Sequence, residues 1–321
     1  GYEIFSGNVK STLKLNNNLS MKIVARHEDT ESETDSGFPL VNDGSGKIKT
    51  RKSFIGHTIS HSFFNGKLKN KTGVNWTSTN NNNVDGNNNS TGKTSADKYK
   101  ISHQTTVEND TNYVLPIDHF FTFAVDHEHQ RFRQRGRNQG FGDPNQNRHL
   151  SNTGLIGEYR GLIGGALAVS TAVRRDINSD YNDVTTFKVG ASYALPYSNL
   201  RIRLNYSTAQ KNPTFIERFG FFSPNSGGTP FAGNSNLDPE KSKGWQIGLE
   251  KSFIENRLVL GATWFREKLE DEINGFTSSS DGIFTALNIE GTSLREGLEF
   301  SLTSRLPLGV SIQTNYTYLD A

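Results

Sequence analysis

Side chains able to hold a metal or move a proton cluster at Asp118-His119 and at Asp126-His127-Glu128-His129. On a strand, His127 and His129 would share one face, with Asp126 and Glu128 on the other. Two imidazoles are only part of a zinc or iron site, which takes about three or four ligands. The run alone therefore predicts no metal. Calcium would want acidic residues spaced as Asp-x-Asp-x-Asp, and no such spacing occurs. Cysteine is absent, which removes disulfides, thiolate metal sites and thiol nucleophiles. No catalytic triad or positioned carboxylate pair stands out. Gly161-Leu162-Ile163-Gly164-Gly165 reads as a tight turn, because neither a helix nor Lys-Ser/Thr follows it as in a phosphate loop. The sequence predicts no enzyme and no resident cofactor.

The remaining chemistry is charge and aromatic surface. Arg131, Arg133, Arg135, Arg137 and Arg148 form a basic stretch, read here as a loop. It could attract an anionic ligand or pair with lipopolysaccharide phosphates. As a plain solvated loop it would simply balance Asp126 and Glu128. Phe219, Phe221, Phe222 and Phe231 lie in a second polar stretch and could cover an apolar or metal-chelate ligand. Across the chain 35 Lys and Arg stand against 33 Asp and Glu, too even a balance to argue for nucleic acid.

The elements that would carry these groups are strands. Only 33% of the 321 residues are hydrophobic, yet 21 Phe and 10 Tyr are present, too many aromatics for a disordered chain. Period-two alternation recurs, as in Ile202, Leu204 and Tyr206 against Arg201, Arg203 and Asn205. No run approaches the ~18 apolar residues of a membrane helix. About fourteen strands are expected, near 3–15, 19–31, 50–64, 67–78, 94–108, 113–130, 149–160, 165–176, 184–194, 199–210, 241–253, 257–271, 288–305 and 309–320. Most reach the roughly 9–11 residues that cross a bilayer at a tilt. Short connections, such as Asn16-Asn17-Asn18 and Pro307-Leu308-Gly309, alternate with long ones at 32–49, 79–93, 131–148, 177–183, 211–240 and 272–287. That asymmetry is expected of a barrel between two aqueous compartments. The run Asn80-Asn81-Asn82-Asn83 would fall at the tip of one long loop.

In a barrel the apolar face meets lipid and the polar face lines the lumen. The lumen would then carry Lys188, Arg201, Arg203, Gln246, Glu250, Glu299 and Gln313. Tyr193, Tyr206, Trp245, Trp264, Tyr316 and Tyr318 would contribute to aromatic girdles at the interfaces, or simply pack as strand aromatics do. The start at Gly1-Tyr2-Glu3 and the stop within a strand lead us to expect a fragment of a larger barrel.

Several motifs from Leu200 to Ala321 resemble the barrel of TonB-dependent outer-membrane receptors, notably their vitamin B12 receptor-like branch. Gly233-Asn234-Ser235-Asn236-Leu237-Asp238-Pro239-Glu240-Lys241-Ser242 is similar to the family's G-N-P-N-L-K-P-E-K-S, with Ser235 for Pro and Asp238 for Lys. Ile202 to Phe215, Trp245 to Glu250, Phe265 to Ile273, Asn288 to Gly291, Glu296 to Glu299, and Tyr316 to Ala321 add ordered matches. Phe132 to Gly136 is similar to the same branch. Asn234, Asn236, Leu237, Pro239, Glu240, Lys241, Ser242, Gly248 and Glu299 carry the signature. On physical grounds Pro239 would end the loop just before a strand.

The resemblance implies an all-β fold. Residues 1–321 would form about fourteen strands of a probable 22-stranded transmembrane antiparallel barrel, without the plug domain or the C-terminal strands. It implies TonB-dependent uptake of a scarce nutrient, of the ferric siderophore or cobalamin class, in a Gram-negative outer membrane. The implied partners are outer-membrane lipid and lipopolysaccharide, a nutrient chelate, and the inner-membrane TonB complex acting through the missing plug. A passive porin or autotransporter-type barrel would share the alternation. A soluble secreted β-sandwich adhesin would show mixed loop lengths. Loops 131–148 and 211–240 are the expected ligand recruiters.

Overall fold

A computed structural model describes residues 1–36, 42–112, 116–137, 143–221, 232–278 and 284–321. Phe222 and Phe231 lie outside the described residues. Sixteen strands follow one another: β1 (Tyr2–Lys14), β2 (Leu19–Ser36), β3 (Asn42–Phe63), β4 (Leu68–Val84), β5 (Ser90–Asn112), β6 (Pro116–Gly136), β7 (Gln146–Ile163), β8 (Leu167–Asn178), β9 (Val184–Leu195), β10 (Leu200–Lys211), β11 (Glu240–Phe253), β12 (Leu258–Glu270), β13 (Ile273–Ser278), β14 (Phe284–Asn288), β15 (Thr292–Arg305) and β16 (Ser311–Asp320). One short helix, α1 (Phe215–Phe219), stands between β10 and β11. Fourteen strands make a single antiparallel sheet in chain order, with β12 pairing β15 across the small β13–β14 hairpin. Among the described residues no second large sheet packs on it, so the sandwich alternative is not met. The sheet is open, with β1 and β16 at its edges.

The two faces differ as the alternation requires. On the inner face Thr106, Thr122, Asp126 and Asp176 are buried, Asp126 at 8% exposure, while Phe123 on the outer face is 62% exposed. A polar face that is shielded and an apolar face that is bare invert a water-soluble protein and suit a sheet standing in lipid. The register puts Tyr193, Ile202, Leu249 and Ala262 in one outward row, and Tyr206 opposite Trp245 in another. The apolar band crosses these rows obliquely. The row Ile55–Trp76–Tyr99 is apolar on β3 to β5 but continues as His129 and Ser151 on β6 and β7. Strands tilted to a level bilayer produce this drift.

At one end of the sheet the turns are tight. Gly164 and Gly165 take φ of +58° and +67°, the pair of left-handed residues that lets a two-residue turn match the strand twist. At the other end the strands continue into three of the expected loops. The run Asn80–Asn83 lies within β4, and Arg131, Arg133 and Arg135 lie within β6. The hairpin β4–β5 closes on Asp85, whose carboxylate accepts the backbone N–H groups of Asn87 (3.0 Å) and Asn89 (2.9 Å). That bonding, chiefly from Asn89, holds the Asp85 carboxyl below the usual range. The ladders outrun the apolar band because backbone pairing needs no lipid. Cross-strand ion pairs such as Lys47–Glu31 (2.6 Å) and Arg51–Asp29 (2.9 Å) flank the solvated part.

Candidate functional site

All seven expected lumen residues share the inner face. Ser207, which pairs with Lys188, alternates with Arg201, Arg203 and Asn205, and these pair with Glu250, Gly248 and Gln246. Thr263 then links Gly248 to Glu299, and Gln313 pairs with Thr303 two positions beyond Ser301. Arg203 donates to Glu250 at 2.6 Å. Higher on the same face, Asp126, Gly154 and Asp176 form one cross-strand row on β6, β7 and β8. Arg174 reaches over Gly154 to bind Asp126 with both Nη atoms (2.9 and 3.1 Å) while also binding Asp176 (2.7–3.0 Å). A Cβ at position 154 would stand 2.2 Å from Arg174 Nη2, so glycine leaves the path open. Lys100 reaches Asp126 at 3.4 Å and Lys98 reaches Glu128 at 2.9 Å. Asp126 and Glu128 are thus lumen ion-pair groups. His127 and His129 point outward, to Thr153 and Ser151. Among the described residues no three potential metal ligands converge.

The expected basic loop divides. Arg131, Arg133 and Arg135 continue the outward parity of Phe121, Phe123 and Val125 along β6. Arg137 follows the strand end. Arg148 pairs with Phe132, on the inner face. The physical reason is the strand period, which sends alternate residues to opposite faces wherever the ladder persists.

The mouth of the inner face is covered by chain from three connections. Helix α1 starts with a capping box: Thr214 Oγ1 accepts the Glu217 N–H (3.3 Å), and the Glu217 carboxylate accepts the Thr214 N–H (2.7 Å). The helix lies against β6 and β7. Phe215 stacks on Phe132 at 5.6 Å, the Arg148 guanidinium sits 4.8 Å over Phe219, and Gln146 donates to the Gly220 carbonyl at 3.0 Å. Phe219 thus packs between Arg148 and Arg218, while Phe221 is exposed and its carbonyl accepts from Gln134. Buried Arg218 joins the connections, donating to the carbonyls of Asp180 (2.6 Å) and Ser235 (3.0 Å). Its guanidinium lies 5.5 Å from the Tyr181 ring. Burial there pushes the Tyr181 phenol up to about 12, against the opposing pull of Arg218.

The signature residues form the other half of this joint. Asn234 donates to the Ala286 carbonyl (3.0 Å) and accepts the Asn236 N–H (3.0 Å). Leu237 and Pro239 are buried. Glu240 accepts from Lys211 (3.0 Å) and from the Ile273 N–H (2.9 Å), and Lys241 pairs with Asp271 at 2.8 Å. Ser242 sits on β11 opposite Ala209 and Leu269; Gly248 and Glu299 lie on the inner face. Asn288, which stood in the sequence only as a motif residue, closes the joint. Its Oδ1 accepts the Asp238 N–H (2.9 Å), and its Nδ2 donates to the carbonyls of Asp238 (3.0 Å) and Asp271 (2.7 Å). Asn182 donates to Asp238 at 2.9 Å. Arg218, Tyr181 and the Arg174 cluster were not anticipated. The Thr214-x-x-Glu217 spacing, a capping-box pattern, is a signal that could have located the helix of this region.

The chain was compared with known proteins. Residues 2–321 match the family described as "TonB dependent receptor-like, beta-barrel". A 154-residue stretch, 47% of this chain and 23% of the relative, is 28% identical to the vitamin B12 transporter BtuB of Photobacterium profundum. Among solved structures, the siderophore receptor PirA of Pseudomonas aeruginosa superposes with a TM-score of 0.78 at 16% identity, over 99% of this chain and 56% of that one. The Serratia marcescens hemophore receptor HasR, solved as a double mutant with its hemophore HasA and heme, gives 0.78 at 14% identity, over 100% and 54%. The chain therefore spans about half the length of these solved receptors. With its fourteen-strand meander, lipid-suited outer face and charged inner face, the chain belongs to the TonB-dependent receptor β-barrel family.

Proposed function

We propose that this chain is the ligand-facing arc of an outer-membrane receptor barrel that takes up a scarce nutrient in a Gram-negative bacterium. Further strands would complete the barrel, and a plug domain would couple it to the inner-membrane TonB complex. The nutrient class is a ferric siderophore or cobalamin. The observation that supports this most is the mouth: three connections are knitted through Arg218, Asn234 and Asn288 above an inner face of paired charges. A passive pore gains nothing from such a folded cover, whereas a receptor must hold binding groups in a fixed place before transport. The chain performs no chemistry on its cargo in this reading; it binds and conducts.

The test is uptake of labelled cyanocobalamin and ferric enterobactin by cells carrying the full-length gene, with and without TonB and with an uncoupler of the proton gradient. Uptake of either probe that requires TonB and the gradient is the expected result. Entry of both probes unaffected by either treatment would overturn the active-receptor reading in favour of a passive pore.

A further inference from the structure

The outward face is not apolar everywhere within the bilayer. On β5 the outward residues run Tyr99, Ile101, His103, Thr105 and Val107, and on β4 they run Trp76, Val74, Thr72, Asn70 and Leu68. From Tyr99 to Val107 is about 26 Å along the strand, or roughly 19 Å of height at a tilt near 45°, inside an apolar band about 25 Å tall. His103 stands midway, with Ile101 at 53% exposure above it and Val107 at 39% lower down. Thr72 pairs with His103 and Asn70 with Thr105, while His57 and His61 extend the patch on β3. Its flanks are apolar again, with Met21 and Ile23 on β2 and Phe123 and Val125 on β6. On β10 to β12 the outward rows Ile202–Leu249–Ala262 and Leu204–Ile247–Trp264 hold no His, Asn or Thr.

The patch is bonded within itself but not completed. Thr105 Oγ1 donates to Asn70 Oδ1 at 2.9 Å, so it accepts from His103 Nε2 at 3.2 Å. His103 Nδ1 is then left to accept the Thr72 hydroxyl at 2.8 Å. The Asn70 amide nitrogen and the His57 ring have no hydrogen-bond partner among the described residues. Hydrocarbon offers them none, and polar side chains at this depth persist where protein covers them. Two copies inserted the same way are related by a twofold axis along the membrane normal, which brings residues of equal depth together. An axis beside β4 sets this patch of one copy against the same patch of the other. Carboxamide and imidazole each carry a donor and an acceptor, so the patch complements itself. The same axis sets the β1–β2 side of one copy against the β5–β6 side of its partner. Above the band the former turns Glu3, Asp29 and Glu31 outward and the latter Lys93, Arg133 and Arg135. Lys47 and Arg51 of β3 already share Glu31 and Asp29, yet the two flanks remain opposite in sign.

We propose that the outward patch of His57, Asn70, Thr72, His103 and Thr105 is the surface on which two copies of the receptor associate side by side in the membrane. This rests on the outer-membrane reading above, but not on which nutrient is carried or whether transport is active. The test uses the full-length receptor, labelled in separate batches with donor and acceptor dyes, mixed and reconstituted in vesicles at rising lipid-to-protein ratio. Wild type should keep its energy transfer on dilution with lipid. N70L/T72V/H103L/T105V, which offers lipid only apolar groups, should stay folded and associate about tenfold more weakly. Single polar contacts in lipid are modest, but the twofold axis counts each one twice. A second measurement does not need that variant. Thr72→Cys should be joined to its partner copy by a short bismaleimide, whereas Leu204→Cys, on a distant part of the wall, should not. Wild type that is monomeric at every ratio, a folded variant that associates as tightly as wild type, or equal crosslinking from both positions overturns the proposal. So does a crosslink from position 72 to a different protein in native membranes with no dimer formed, since that protein would then be the occupant. Failure of TonB-dependent uptake with the association intact would sink the receptor reading alone.

Discussion

Gly154→Ala tests whether the glycine exists to let Arg174 bridge three strands. The added Cβ would stand 2.2 Å from Nη2 and 2.5 Å from Cζ of Arg174. These atoms are the far end of a flexible chain, so the guanidinium swings aside and the cost is the lost pairing with Asp126. A shielded charge-assisted pairing contributes about 1.5–3 kcal/mol. The Arg174 side chain is 33% exposed, and solvent screening brings the figure to about 1 kcal/mol. Against this, replacing glycine within a strand recovers roughly 0.5–1 kcal/mol of chain entropy. The two nearly cancel, so the single variant is expected to look neutral. The informative quantity is the coupling with Asp126→Asn. In that background the pairing is already weakened, and G154A should stabilise by roughly 0.5–1 kcal/mol, giving a coupling of about 1 kcal/mol. Urea unfolding in lipid vesicles, followed by tryptophan emission and gel mobility, measures all four corners of the cycle. Gly157→Ala, whose Cβ would meet only Val173 at 3.7 Å, is the control. Coupling within about 0.3 kcal/mol of zero would refute the bridge as the reason for the glycine.

Other substitutions separate side-chain from backbone crowding. A Cβ at Gly233 would stand 2.3–2.4 Å from backbone atoms of Arg218, Phe219 and Gly220, which cannot swing away. G233A should cost about 2 kcal/mol or more of local stability and expose α1 to protease. Asn288→Ala removes three hydrogen bonds and should loosen the mouth by about 2 kcal/mol; limited proteolysis should then cut within 272–291 while the barrel strands stay intact. The Tyr181 phenol should ionise near its elevated value of about 12. Because burial favours its neutral form, its contribution to mouth stability is complete below the ordinary tyrosine value near 10 and is lost as pH rises to 12. The phenolate titration of wild type minus that of Tyr181→Phe should show its step near pH 12; a difference step near 10 would contradict the burial.

The fourteen expected spans correspond one to one with the strands of the main sheet. Alternation was strong wherever one face met lipid and the other the lumen. The upper ends were misread for the same reason. Above the bilayer both faces are wet, so Asn80–Asn83 and Arg131–Arg135 lost the apolar signal while the ladder continued. Strand parity counted onward from Phe121 would have sent the arginines outward. The mouth was less legible. Arg218 finds Asp180 38 residues away and Asn288 finds Asp238 50 residues away. No local pattern announces partners at such separations, and the one local signal, the Thr214-x-x-Glu217 capping spacing, went unread among the strand alternation. The signature near Pro239 was readable as a strand start, and its residues hold the β13–β14 hairpin that the spacing did not predict.

Each strand of the main sheet bonds only to its immediate neighbours in that sheet. Such a meander behaves energetically as a line of links, in which a weakened hairpin is felt by the strands beside it and little beyond. Assembly can then proceed by adding one hairpin at a time, each new strand templated by the last. Variation can also collect at the wet hairpin tips without disturbing remote rows. The cross-strand joint formed by Arg218 and Asn288 is the exception. It ties distant links into one cooperative unit, so changes in that cap should propagate where changes in any single hairpin would not.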